Sequence, residues 1–373
     1  MRRERWDLEG EELVAGRHYP RGWQEFEAWF PDDAAARRYL AEMRWFYGVE
    51  CPRCRTEIAG STSKGWWCPS CRQWFTLTSG TLFSHTRIGL RDWLHAVWLL
   101  TNEKNGVSAM SVSRGIGVNY ETAWAMLHKL RHTFNQSGRD QLTTLVEIDE
   151  TYAGGLSQGF GHRGRSTANK AVVIIACEVR KGGRIGRVRI GLLPDAKKAS
   201  ITPWVQQHIA PKTAVHTDGW SGYNDLVGLG YRHKVTVVNG SGTLAHIVFP
   251  RVHTVASLLK RWLLGTHQGG QQERYLDRYI DEFVFRFNRR NAQSRGLLFY
   301  RVLEDALMAD THVIESALRR PRDKQRPAAM VATQEVERKQ ADAAERELFD
   351  WFEEPADADG PPDPFVPVDE PVA

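Results

Sequence analysis

Two cysteine knuckles, Cys51-Pro-Arg-Cys54 and Cys68-Pro-Ser-Cys71, constrain this chain more than any other feature of it. Thirteen residues separate them. Four thiolates at this spacing close a tetrahedral shell around Zn²⁺ and leave no position open for chemistry. A structural zinc ribbon is therefore expected, with Cys51, Cys54, Cys68 and Cys71 as its ligands. Trp66, Trp67, Trp74 and Phe75 lie between and just after the knuckles, which suits a small ribbon whose stability depends on the metal. The fifth cysteine, Cys177, sits in the apolar run AVVIIACEV and reads as a buried strand residue. The ribbon's task stays open between contact with DNA and contact between subunits.

The rest of the chain is more basic than its net charge of +5 implies. The tail from 353 to 373 holds seven acids and no Lys or Arg, which leaves +12 for residues 1 to 352. A body of that charge suits a polyanion, and nucleic acid is the commonest one. No apolar run approaches the ~20 residues a bilayer crossing requires, and the first residues, MRRERWDLEGEEL, lack the apolar core of a secretory signal. A cytoplasmic, nucleoid-associated protein with no membrane partner is expected.

Composition and periodicity divide the chain into five parts. Residues 1–48 form an N-terminal helical segment, with a capped helix in FPDDAAARRYLAEMRW, and 49–85 form the ribbon. Residues 86–138 read as three helices broken at Asn105-Gly106 and around Gly117. The last two have the proportions of a helix-turn-helix. It would set Asn119, Tyr120 and Thr122 at the groove end, with Lys129, Arg131 and His132 nearer the phosphates; an ordinary helical hairpin reads almost as well. Residues 139–318 carry short β-branched runs in the order three strands, helix, strand, helix, strand, then helices, which is a mixed α/β domain. The second of those interposed helices is placed on GWSGYNDLV. Residues 319–373 hold a charged helix and a disordered acidic tail.

Acids interrupt the first strand of the α/β domain, LVEIDETY, so that Glu147, Asp149 and Thr151 share one face. A carboxylate in a central strand is costly without a metal or a partner. Asp218 closes the strand TAVHTD and precedes Gly219, at the carboxyl end where α/β sheets collect ligands. Two such aspartates can hold two Mg²⁺ ions for in-line attack on a phosphate. Taken singly, each has a plainer account, Asp149 in a hydrogen-bond network and Asp218 as a helix cap.

The stretches YLAEMRW, CPRC, CPSCRQWFTLTSGTLF, VEIDETYAGG, HTDGWSGY, LLKRWLLGTH and RYIDEFVFRFNRR run in this order over roughly residues 22 to 300. In them the chain resembles bacterial insertion-sequence transposases of the DDE type, in the ISXO-like group with an N-terminal zinc ribbon. The resemblance implies an RNase H-like catalytic domain with a mixed five-stranded sheet and flanking helices. It implies binding to the inverted terminal repeats of a mobile element, followed by metal-dependent strand cleavage and strand transfer. It assigns the first two metal ligands to Asp149 and Asp218, the third ligand position to His253, and a phosphate-binding cation to Lys260. A neutral imidazole coordinates Mg²⁺ weakly and Mn²⁺ better. Glu282 is the substitute ligand should His253 only cap its helix, although an ion pair with Arg286 also accounts for it. Arg261, and Arg163 and Arg165 in the loop GFGHRGRSTANK, are further candidates for the DNA backbone. Trp220 and Trp262 could stack on extruded bases or simply pack. Pairing two ends, and joining them to target DNA, calls for at least a dimer. A catalytically inactive DNA-binding regulator is the alternative, and a structure-selective nuclease a third possibility.

Overall fold

In a computed structural model, the structure describes residues 13–60, 65–134, 140–153, 171–237, 248–268 and 275–309. The chain divides into units 1–318 and 319–373, and all the described residues lie in the first. The expected charged helix and acidic tail, the loop 159–170 and the arginines Arg163 and Arg165 fall outside the described residues.

Local capping chemistry starts the second N-terminal helix where the sequence places it. Helix α1 (Trp23–Trp29) is short, and α2 (Asp33–Arg44) begins with the Asp32 carboxylate accepting from the Ala35 amide. Two small hairpins follow, β1 (Val49–Glu50) with β2 (Glu57–Ile58) and β3 (Trp66–Cys68) with β4 (Gln73–Phe75). Each knuckle turns in the same way. Arg55 and Arg72 take positive φ (63° and 55°), and their amides donate to the carbonyls of Cys51 and Cys68. Trp45, Trp66 and Phe75 pack beneath, while Trp67 and Trp74 face outward as a cross-strand pair 5.7 Å apart.

Helices α3 (Leu90–Asn102), α4 (Ala109–Ile116) and α5 (Tyr120–Phe134) form the next layer. Ser108 caps α4 through the Ser111 amide, and Gly117 (φ 73°) ends it in the left-handed conformation that glycine adopts at little cost. The Asn119 side-chain oxygen then accepts from the Thr122 amide and starts α5. Their shared core contains Phe26, Phe30, Trp93, Trp98 and Leu127.

The larger sheet comprises β5 (Leu145–Ala153), β6 (Ala171–Arg180), β7 (Arg184–Leu193), β8 (Ala214–Thr217) and β9 (Arg232–Val235), in the order β7-β6-β5-β8-β9. The first three are antiparallel neighbours; β5, β8 and β9 run parallel. Helix α6 (Lys198–His208) covers one face, its Ile201 and Trp204 sharing a core with Ile148 and Ile174. Helices α7 (Pro250–His267) and α8 (Leu276–Asn288) cover the other over Ile175, Cys177 and Val188. Burial on both faces explains the unbroken apolar run of β6, and Cys177 is buried in it as expected. A mixed five-stranded sheet with flanking helices fits an RNase H-like domain.

The segment GWSGYNDLV departs from expectation: it makes a single 3₁₀ turn at Ser221–Tyr223 followed by turns. Gly222 lies so close to Ile201 and Trp220 that a Cβ would stand 2.7 Å from Ile201 Cδ1. Tyr223 and Leu226 pack into the core beneath α6, so close packing prevails over helical periodicity. The last helix, α9 (Arg295–Met308), packs into the core of the N-terminal helices rather than against the sheet. Among the described residues no helix is long and apolar enough to cross a membrane.

Candidate active site

The parallel pairing of β5 with β8 sets Val146 beside Val215 and Glu147 beside His216. Continued two residues, that register would set Asp149 beside Asp218, which directly follows β8. Asp218 Oδ1 accepts from the Trp220 amide at 3.0 Å, a tight turn that holds the carboxylate at the strand's end. Asp149 Oδ1 accepts from the Glu150 amide at 2.9 Å, and its other oxygen lies 3.6 Å from His253 Nε2. His253 stands in the first turn of α7. Burial raises the Asp149 carboxyl to about 6, the charge of Asp218 adds to the rise, and Lys260 opposes it. The last two effects place both charged groups within electrostatic reach of Asp149. Lys260 is exposed two turns along α7 from His253, with Arg261 exposed beside it.

Two residues that the sequence reading left without a role border this group. Glu150 turns to the opposite face of β5, accepts a hydrogen bond from the Tyr223 hydroxyl, and is raised to about 7, chiefly by burial. Glu147 is 2% exposed and accepts from the backbone and side chain of Arg251 and from the Val252 amide. The alternation of acids in EIDET places both on the strand, but their partners are more than seventy residues away in sequence.

Glu282 lies elsewhere. It is fully buried on α8 and accepts from Arg131 Nε of α5 at 2.7 Å. The expected pairing with Arg286 is not the one formed, because Arg286 turns to the carbonyls of Leu100, Glu103 and Lys104 at the end of α3. Arg131, expected near phosphates, is 1% exposed and committed to Glu282. Of the other candidate readers, Tyr120 is 51% exposed, Asn119 is exposed but uses its carbonyl as the helix cap, and Thr122 and Lys129 are half-buried. Trp262 is half-buried against Tyr279 and Phe283, and its indole donates to the Asn105 carbonyl at 3.0 Å. Trp220 is 49% exposed and donates to the Ala196 carbonyl.

The four cysteines come together as expected. Their sulfurs all lie within 4.8 Å of one another, with Cys51 and Cys71 at 3.6 Å and Cys54 and Cys68 at 3.4 Å. A tetrahedral zinc with Zn–S bonds near 2.3 Å spaces its sulfurs about 3.8 Å apart, so the cluster could hold Zn²⁺ with small adjustments.

Comparison with known proteins adds two findings. The model of the ISXO2-like transposase domain matches residues 141–288, the stretch from just before β5 to the end of α8. An uncharacterized protein in the transposable element ISH50 of Halobacterium salinarum is 30% identical over 288 residues, covering 69% of this chain and 91% of that relative.

Proposed function

The chain belongs to the ISXO2-like transposase family of insertion sequences, and from that premise we propose that it binds the inverted terminal repeats of its own element and performs metal-dependent strand cleavage and strand transfer. What supports this reading is that Asp149, at one end of the sheet, lies 3.6 Å from His253 of a separate helix and feels the charge of Asp218. Two anions held beside each other in a half-buried site have a natural complement in a divalent cation. Two carboxylates and one imidazole form a donor set that Mn²⁺ accepts well and Mg²⁺ accepts less readily. Once bound there, such ions would supply charge neutralisation for attack on a DNA phosphate by water and then by the freed 3′-hydroxyl.

The chain's own residues would do the rest. Asp149 and Asp218 provide the negative charge, and His253 contributes a neutral ligand from α7. Lys260, on the same side of that helix, would fix a phosphate near the scissile bond; Arg261, Arg163 and Arg165 would track the backbone. At the N-terminal end, α4 and α5 would serve as a helix-turn-helix that presents Tyr120 and its neighbours to the groove. The division into ribbon, reader and catalytic domain, the zinc in the ribbon, and action as a dimer or larger assembly on DNA belong to the same reading.

The test is cleavage of DNA carrying the element's own termini, in Mg²⁺ and in Mn²⁺. Loss of cutting in Asp149→Ala and His253→Ala, with better use of Mg²⁺ by His253→Glu, is the expected result. Cutting unaffected by His253→Ala would remove the histidine from the ligand set. Wild-type protein that binds these ends and never cuts in either metal would instead be a regulator.

A further inference from the structure

Glu147 is a buried carboxylate to which the proposed chemistry gives no task. It lies two residues before Asp149 on the same face of β5, at 2% exposure. A charge buried to that degree has to be matched by donors, and its donors come from the first turn of α7. The Arg251 amide lies 3.1 Å away, the Val252 amide 3.2 Å, and the Arg251 guanidinium 2.8 Å. Pro250 opens the helix without an N–H to offer, so Glu147 takes the first two amides that the helix leaves unpaired. The positive end of an eighteen-residue helix adds to the attraction. Arg251 also reaches the Gly183 carbonyl with its Nε at 2.9 Å, which ties the same turn to the hairpin between β6 and β7.

The consequence falls on the next residue along the helix. His253 follows Val252, and its ring lies 3.6 Å from Asp149. One strand therefore holds both the carboxylate and the clamp that sets where the histidine's helix begins. We propose that Glu147 is a positioning residue for the metal site, and that its clamp on Arg251 and Val252 sets His253 at the ligating distance from Asp149. This inference rests on the reading of Asp149 and His253 as ligands. A purely structural cap would stabilise the fold without affecting the site's grip on a cation.

The experiment is Mn²⁺ binding to the zinc-loaded, DNA-free full chain, followed by the paramagnetic resonance of free Mn²⁺. Asp149→Ala is expected to abolish the site, and His253→Ala to weaken it. Glu147→Gln, which keeps the volume and removes the charge, is expected to weaken it on the order of tenfold, as the loss of supporting groups behind metal ligands commonly does. The double variant Glu147→Gln/His253→Ala should bind no more weakly than His253→Ala alone, because the glutamate acts through the histidine. In metal-free Glu147→Gln, the amides of Arg251 and Val252 should exchange faster. Should Glu147→Gln not fold, Arg251→Ala, which keeps both backbone donors, should still weaken binding a few-fold. Unchanged Mn²⁺ affinity in Glu147→Gln or, failing that, in Arg251→Ala overturns the inference while the metal site stands. Additive losses in the double variant overturn it equally. Mn²⁺ binding that survives Asp149→Ala overturns the metal-site reading, and the inference with it.

Discussion

Asp149 carries an energetic load in the metal-free chain. Burial and the neighbouring Asp218 raise its carboxyl to about 6, so near neutral pH the folded state holds a charge that the unfolded chain would carry more easily. Asp149→Asn removes the charge and keeps the shape. We expect it to stabilise the metal-free protein by on the order of 1 kcal/mol, a gain of the kind seen when functional strain is removed, visible as a higher melting temperature. The same variant should lose divalent-metal binding, and a fall in melting temperature would show that the carboxylate is held by partners and not strained. The residue scale is also where the sequence was most legible. Asp149 and Asp218 stand out as a pair on this strand order, although each alone has a plainer account as a hydrogen-bonded residue or a helix cap. Glu147 sits in the same strand and could not be told apart in the same way, because its partners Arg251 and Val252 are more than a hundred residues away.

Between elements, the decisive contact is that of α5 with α8. Arg131 and Glu282 form an ion pair at 1% and 0% exposure, and the guanidinium lies 4.3 Å from the centre of the Tyr279 ring. Breaking such a pair leaves the other charge buried alone, at a cost of about 3–5 kcal/mol. Glu282→Ala should therefore lower stability by that order in chemical denaturation while Mn²⁺ affinity at Asp149 stays as in wild type. Weakened Mn²⁺ binding in a folded Glu282→Ala would make it a ligand after all. His128 in the same contact gives a pH signature. Burial, then the Arg131 charge, lowers its pKa to about 2 from an ordinary 6.5. Below 6.5 the unfolded chain takes up a proton that the folded chain refuses, so the histidine's contribution to stability declines as pH falls. It is expected to decline by up to about 1.4 kcal/mol per pH unit. The stability difference between wild type and His128→Asn should accordingly narrow between pH 6.5 and 5, and a constant difference would sink this account. The start of α2 and the break between α4 and α5 were legible in FPDDAAARRYLAEMRW and at Gly117, because caps and glycine stops act over three or four residues; the caps Ser108 and Asn119 were not, and Asn119 read as a groove contact. The face α5 turns to α8 was not legible either, because Arg131 on a basic helix reads as a phosphate ligand until Glu282 is seen opposite it.

On the scale of the whole molecule, chain order and core membership part company at α9. Its sequence follows the α/β run directly, and periodicity alone assigns it to the sheet's helices. Instead Phe299 is fully buried against Phe26 (5.7 Å between rings) and Trp98 (5.4 Å), and the Leu82 amide donates to the Ala306 carbonyl. At Gly296 the helix passes so close to the Pro20 carbonyl that even a Cβ would collide. A helix can be read as amphipathic from its own residues, but which apolar surface it meets depends on residues more than two hundred positions earlier. The arrangement makes the N-terminal helices dependent on the far end of the described chain. Phe299→Ala should cost about 3–5 kcal/mol, the usual loss for truncating a buried phenylalanine. The position of the damage is the sharper prediction. Amide exchange should accelerate first in α1 and α3, which share the core with Phe299, while β5, β6 and β8 keep their protection. If the sheet lost protection first, α9 would be supporting the five-stranded sheet. The N-terminal body would then have to be stable by itself.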